Sequence, residues 1–338
     1  MLIPEGVYQD VTSVGCCVAA ILNLIILPMT VIKSKYSLGS FKIIMLVFST
    51  TNMLHYFVDT FSLPRFYTSY KIAIVYVSGT AKDWGKFWST FFGVWLCNIF
   101  MLQVLIEALH FLYRYILLCR ENMQFLLTSK NIAILLFVSI PTYVCIHTAN
   151  FVFNMPFDTD VFNALSNDSN YNLGLAPSQL HGIAMLYAKT SFEGEEVTRW
   201  RGIIGVTILL GCNATFMSTM LICGLKIHKK INSFKSNVSK KTKEMQQTLF
   251  TMLIVQTVLP LFLLHTPCAV LLIAPFFFSF RNGADIMMLA ILIYPCLEPM
   301  VVIYFLNKNY LIRLWRAVKM VHKQPISVTP SSAYSEGI

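Results

Sequence analysis

Hydrophobic positions in this 338-residue chain come in long unbroken runs, not in the two-residue or three-to-four-residue rhythms of half-buried strands and helices. Seven runs approach the ~20 residues that a helix needs to cross a hydrocarbon core. They are Val11–Ile32, Phe41–Phe61, Phe87–Tyr113, Ile132–Phe153, Ile203–Leu225, Leu249–Pro275 and Ile286–Phe305. Backbone in lipid must satisfy its own hydrogen bonds, and a continuous apolar run does so as a helix. The pattern predicts an all-α membrane protein, a bundle of seven transmembrane helices. Its parts are a short outer segment (1–10), the bundle (11–306) and an inner tail (307–338). The second run is the least apolar, holding Thr50, Thr51, Asn52, His55 and Asp59. Lys33 and Lys35 follow the first run and no basic residue precedes it, so it reads as a span and not as a cleaved leader.

Composition narrows the class. Hydrophobic residues make up 56% of the chain and charged ones 12%, against roughly 25% charged in a soluble domain. Too little charge remains to cover a soluble globule, which argues against a cytosolic enzyme, a nucleic-acid-binding domain or a disordered chain. The net charge of +10 is explained by where the basic residues lie. With the N-terminus outside, eighteen of the 26 Lys and Arg fall in inner segments, seven of them lysines between Lys226 and Lys243. That asymmetry sets the orientation, and the inner charge meets an anionic leaflet, so nucleic acid is not expected as a partner. Asn167-Asp168-Ser169 is a glycosylation sequon in the acidic outer segment 154–201. The sequon at Asn237 lies among the inner lysines and is expected to stay unmodified.

Enzyme signatures are absent: no phosphate-binding loop, H-E-x-x-H or G-x-S-x-G occurs. The nine cysteines form no C-x-x-C pair and the histidines are scattered, so no metal and no cofactor is expected. Polar residues inside the spans are the informative ones, because each is costly in lipid. Glu107, His110 and Arg114 share nearly one face at the inner end of the third span. Arg114 either pairs with a carboxylate or bonds helix-end carbonyls, or it reaches to the headgroups. In the seventh span, Pro295 and Pro299 flank Glu298; they read either as a hinge with a polar anchor or as a solvated kink. The sixth span carries Gln246, Gln247, Gln256, His265 and two bends, Pro260 and Pro267, on one face. Phe91, Trp95, Asn98 and Met101 form a stripe on the outer half of the third span. With Gln256, His265 and the outer part of the seventh span they are candidates to line a small apolar pocket that binds the ligand; plain packing or lipid contact would give the same stripe.

Taken in order, several of these segments resemble one family. Lys33–Lys42 with Leu38-Gly39-Ser40-Phe41-Lys42, Asp59 with Pro64, and His110-Phe111-Leu112-Tyr113-Arg114-Tyr115 are similar to motifs of nematode serpentine chemoreceptors of the Str type and their Srj and Srd relatives. So are Lys243–Phe250 continuing through Gln256, Thr257, Pro260 and Pro267, and the ending Tyr294-Pro295-Cys296-Leu297-Glu298-Pro299. The resemblance implies a GPCR-like bundle, a heterotrimeric G protein as partner, and an odorant or other small environmental molecule as ligand. It also implies the plasma membrane, in particular the cilium of a sensory neuron. Arg114 matches the family's helix-three arginine, which engages the G protein or a resting-state lock, and Tyr113 and Tyr115 flank it. Three departures stand out. Glu298 replaces the usual Asp, Asn309–Arg313 breaks a Tyr-Arg doublet, and the segment 154–201 has no cysteine for the disulfide of rhodopsin-like receptors.

The reading that follows is a chemosensory receptor in which a ligand among spans three, five, six and seven lets the sixth span move away from Arg114. The rivals are a ligand-gated channel of the insect odorant-receptor type, which would put the N-terminus inside, a transporter, for which paired broken helices are missing, and a receptor-like protein without signalling.

Overall fold

The computed structural model describes residues 5–37, 40–169, 171, 173–190, 195–233 and 240–279, and between 280 and 305 only 284, 287, 290, 291, 294, 296, 297 and 299–305. Six long helical segments follow the first six apolar runs: α1 (Glu5–Ser37), α2 (Phe41–Ser62), α3 (Lys86–Cys119), α4 (Ser129–Asn154), α6 (Trp200–Asn232) and α7 (Lys240–Pro260), which continues through a π-turn (Leu261–His265) into α8 (Thr266–Ile273). The short α5 (Thr159–Ser166) precedes α6. Every described residue between 284 and 305 is helical, in register with the seventh run. Among the described residues five helices are long and apolar enough to cross a membrane. The second run is not one of them, and its place in the bundle explains why. Asn52, His55 and Asp59 are buried against the neighbouring helices and not turned to lipid. Gln103 Nε2 donates to Asn52 Oδ1 at 2.9 Å and lies 3.3 Å from His55 Nδ1, and His55 Nε2 lies 3.3 Å from Asp59. Polar groups that bond one another across α2 and α3 avoid the desolvation cost that unpaired ones would carry in hydrocarbon.

Helix α3 is the axis of the bundle. Its side chains enter the cluster with α2 and α4 through Leu102, Leu105, Ile106 and Ile116, and the cluster with α6 and α7 through Val104, Ala108 and Phe111. Thr128 caps α4, its hydroxyl accepting from Asn131 N–H at 3.3 Å.

One end of the bundle carries a feature that the apolar runs do not announce. Strands β1 (Pro64–Ser69), β2 (Ile72–Val77) and β3 (Gly182–Leu186) form an antiparallel sheet with β2 in the middle, and β4 (Ala188–Thr190) pairs with β5 (Glu196–Thr198). Ile72, Ala73, Ile74, Val75, Tyr76 and Val77 are rich in β-branched and aromatic side chains, which suit a strand. Successive strand residues face opposite sides. Ile72, Ile74 and Tyr76 pack with Val161 and Leu165 of α5; Ala73 and Val75 pack with Phe151, Val206 and Leu209 of the helices. The sheet is therefore a middle layer, apolar on both faces, between the bundle and α5. Gly182 makes the close stacking possible. Its φ is +152° and a Cβ there would overlap the carbonyl of Val75.

Candidate functional site

The candidate residues sort to the two ends of the bundle and to the helix that joins them. At the end away from the sheet, the spacing that puts Glu107, His110 and Arg114 on one face of α3 turns all three inward, and all are buried. Phe48 of α2 meets the His110 ring edge-on, with centroids 5.4 Å apart. Arg114, 4% exposed, reaches across to the sixth span: its Nη1 donates to Gln246 Oε1 of α7 at 3.1 Å. The acceptor is a side-chain amide and not the carboxylate or helix-end carbonyl expected from the sequence, and the guanidinium is buried against a neighbouring helix. Tyr113 is buried on the α2–α4 side. Tyr115 is half-buried; its hydroxyl accepts from Arg120 Nε at 2.7 Å, and Lys226 of α6 lies 5.4 Å from its ring.

The sixth span is interrupted where its prolines predict. Pro267 has no N–H and its ring would strike the carbonyl of Leu263 in a regular helix. The chain widens here into the π-turn Leu261–His265. Thr266 seals the turn, its backbone N–H and its hydroxyl both bonding to the Leu261 carbonyl, the hydroxyl at 2.6 Å. The extra residue turns His265 inward, to 6% exposure. A cavity of about 470 Å³ lies beside it, between α6 and the α7–α8 segment. Gln256, one turn before Pro260, is buried too. Pro299 is buried in the seventh helix, and Glu298 lies outside the described residues.

The aromatic stripe of α3 is not brought together as a pocket lining with His265. Phe91 is 42% exposed and stacks on Trp95 with centroids 6.0 Å apart. Asn98 points instead to α4, donating to Thr148 Oγ1 at 2.9 Å. Met101 packs into the cluster below the sheet. None of the four lines the cavity beside His265. Phe91, Trp95 and Asn98 do share one face of α3, but that face turns toward α4 and the outside of the bundle and not toward His265.

The end bearing the sheet holds features that the sequence reading left out. Its first link is to the N-terminus: Tyr8 of α1 donates its hydroxyl to the Pro64 carbonyl and lies under the Arg65 guanidinium at 4.6 Å. Its second is to the tip of the sixth span. Tyr187, just after β3, stacks on Phe276 with centroids 3.9 Å apart and donates its hydroxyl to the Leu272 carbonyl at 2.7 Å. Lys71 N–H donates to the Pro275 carbonyl at 2.7 Å. Ion pairs stitch the outer face: Lys71 with Glu196, Lys189 with Asp160, and Arg199 with Asp158. Glu196 raises the Lys71 pKa above its ordinary value chiefly through its hydrogen bond. The sequon residue Asn167 is exposed at the C-terminal end of α5, on this same face. Asn237, the other sequon, lies outside the described residues. All nine cysteines are free thiols, and no cluster of metal-ligating side chains occurs among the described residues.

Comparison with known proteins places these features in a family. A profile described as serpentine type 7TM GPCR chemoreceptor Str matches residues 8–310. Serpentine receptor class r-10 of Caenorhabditis elegans is 26% identical over 311 residues, covering 87% of this chain and 86% of that protein. The G-protein coupled receptor str-33 of the same organism is 22% identical, covering 84% and 83%. Among solved structures, squid rhodopsin superposes with a TM-score of 0.61 at 11% identity, covering 96% of this chain and 89% of that one, which shows the rhodopsin-like seven-helix fold.

Proposed function

Because the chain belongs to the serpentine Str family of seven-transmembrane G-protein-coupled chemoreceptors, we propose that it detects a small odorant-like molecule from the environment and signals through a heterotrimeric G protein. The observation that carries the mechanism is the Arg114–Gln246 hydrogen bond. It ties α3 to α7 beside the lysine-rich segment, where the positive-inside asymmetry puts the cytoplasm. In the resting arrangement this bond holds the inner end of α7 against α3. The ligand-bound arrangement separates them and exposes Arg114, flanked by Tyr113 and Tyr115, to a G-protein helix. Glu107 and His110 set the face that Arg114 occupies, and Pro260, Pro267, Glu298 and Pro299 give the sixth and seventh spans the bends they move on. A ligand drives the change only by binding the open arrangement more tightly than the closed one. Family membership and fold favour this reading over the channel and transporter alternatives.

The location proposed is the plasma membrane, in the cilium of a sensory neuron, with the N-terminus outside. Placement of Tyr8, the sheet and Asn167 at one end, and of Arg114 at the other, supports that orientation. The division into segments 1–10, 11–306 and 307–338 belongs to the same proposal. The test is topological and functional together. Wild-type receptor in cells should carry a glycan that Asn167→Gln removes, hide a C-terminal tag until permeabilisation, and raise a G-protein readout in a volatile screen. An exposed tag with no glycan would reverse the orientation and redirect the search to ligand-gated currents.

A further inference from the structure

Between α5 and the two small sheets lies a polar pocket of about 330 Å³, at the lower end of the ~300–1,000 Å³ range of small-molecule sites. The sequon residue Asn167 is part of its wall, with Tyr70, Lys71, Asp160, Lys189 and Glu196. These groups are open to an occupant. Asn167 is exposed, Tyr70 is 54% exposed, and the side chains of Glu196 and Lys189 are 54% and 45% exposed.

The sequon is fixed against this wall. Asn167 closes the C-terminal end of α5, its N–H donating to the Asn163 carbonyl at 3.0 Å. Next to it, Asp168 Oδ2 accepts from the Tyr67 hydroxyl of β1 at 2.6 Å. Helix and sheet hold Asn167 at the rim from two sides, so a group carried on its amide starts at the pocket mouth. The charges decide what suits the pocket. Lys71 pairs with Glu196 and Lys189 with Asp160, so an ionic ligand must break one pair to form another. A lysine only donates and a carboxylate only accepts, whereas a hydroxyl does both. A neutral ring rich in hydroxyls therefore bonds either member of each pair and leaves the pairs intact. Tyr70 adds an exposed aromatic surface for the C–H face of such a ring.

We propose that this pocket holds the receptor's own glycan: the first N-acetylglucosamine on Asn167 folds back and docks between α5, Tyr70 and the two ion pairs. The proposal rests on the reading that the sheet end lies outside and that Asn167 is glycosylated. In that attachment Asn167 Nδ2 displaces a lipid diphosphate from the anomeric carbon of the sugar donor, and one amide proton leaves. The tether supplies what sugar affinity lacks. A linked ring meets the pocket at an effective concentration in the millimolar range, so contacts too weak to hold a free sugar hold this one. Once docked, the sugar joins α5 to the β1–β2 turn at Tyr70 and Lys71 and to the β4–β5 pair at Lys189 and Glu196.

The full chain, expressed with high-mannose glycans and purified, provides the test. Peptide N-glycosidase cuts between the first sugar and Asn167, so a docked sugar shields its own bond. Cleavage of the folded wild type should be about tenfold slower than that of Tyr70→Ala or Ala188→Trp, as follows if the sugar is docked about nine-tenths of the time. Both variants keep the sequon; the first removes the exposed ring and the second puts bulk into the pocket wall. Tyr70→Phe keeps the ring and should keep the slow rate, which separates stacking from a folding defect. Endoglycosidase H leaves a single sugar on Asn167. Amide protection in α5 should survive that trimming and fall about tenfold in Asn167→Gln. Free N-acetylglucosamine should restore protection to Asn167→Gln only at millimolar concentration or above. Restoration at micromolar concentration would make the pocket a site for soluble sugar and overturn its assignment to the glycan. Wild-type cleavage as fast as that of Tyr70→Ala and Ala188→Trp, or α5 protection indifferent to the last sugar, would overturn docking and leave glycosylation standing. A wild-type chain without glycan would overturn the reading on which docking rests.

Discussion

Arg114 is a charged side chain buried among the helices at the end away from the sheet. A buried guanidinium bonded to a neutral amide is held by a charge-assisted hydrogen bond, of the order of 1.5–3 kcal/mol, which is weak enough to break when a ligand favours the open arrangement. Gln246→Ala removes the acceptor without touching the arginine. Basal G-protein signalling should rise several-fold. Gln246→Glu replaces the amide with a carboxylate and should depress both basal and stimulated signalling. Arg114→Ala should abolish signalling at unchanged surface density; a wild-type response from that variant would remove Arg114 from the mechanism. At the other end, His181 leads into β3, and its carbonyl accepts from Val77 N–H at 3.1 Å. Partial burial, with Lys86 nearby, lowers its pKa below the ordinary value of 6.5. The folded protein therefore favours the neutral ring. That contribution is complete above the unfolded value and declines as pH falls below about 6.5. Protection factors for amide exchange in residues 182–186, which correct for the slower intrinsic exchange at lower pH, should fall on acidification through that range in wild type, and His181→Gln should lose that part of the pH dependence.

The elements meet the sheet through glycines, which makes its docking testable. Gly202 sits in the first turn of α6 where a Cβ would overlap the Leu186 carbonyl, and Gly182 combines a positive φ with the Val75 overlap. Alanine at either position must push β3 off its neighbours. Losses of about 1–3 kcal/mol are expected for each, seen as a lower melting temperature of the purified receptor. A larger residue at the open Gly211 should have little effect, since a Cβ there meets nothing within 4 Å. The same elements show what the chain discloses by itself. Spans announce themselves because every residue of a membrane helix must be compatible with lipid or with a neighbour, and the observed helices match the expected runs to within a few residues at most ends, with longer extensions at both ends of α1, the C-terminal ends of α3 and α6 and the start of α7. The sheet does not announce itself. Ile72–Val77 is a six-residue apolar run buried on both faces, without the alternation that marks a half-exposed strand. Its turn uses Lys71 at φ 62° where glycine or asparagine would be the signal. Its third strand arrives from more than a hundred residues away. The site divides likewise. Arg114 is legible as a charge where lipid forbids one, whereas its partner Gln246, the exposure of Phe91 and the turn of Asn98 toward α4 depend on how whole helices are rotated against each other.

Across the whole molecule, the sixth span is fastened at both ends and soft in the middle. The end away from the sheet is held by Arg114 at Gln246. The end beneath the sheet is held by Tyr187 at Leu272 and Phe276 and by Lys71 at Pro275. Between these anchors stand Pro260, the π-turn and Pro267. A regular helix would pass a displacement from one anchor to the other, whereas a break lets each end settle separately. Whether the anchors act as one device is a question of coupling, and a double-mutant cycle measures it. Tyr187→Phe keeps the ring on Phe276 and removes only the hydroxyl bond to Leu272; Gln246→Ala removes only the inner lock. If the π-turn joins the two halves, freeing the outer anchor gives the inner lock less to hold. The basal activities of the single variants then fail to multiply to that of the double variant, leaving a coupling of about 0.5–1 kcal/mol. If the turn isolates the halves, the effects multiply and Tyr187→Phe alters only the stability of the sheet end. Pro267→Ala, which allows a continuous helix, should then introduce the missing coupling, because a chain with its hydrogen-bond ladder restored transmits what the widened turn absorbs.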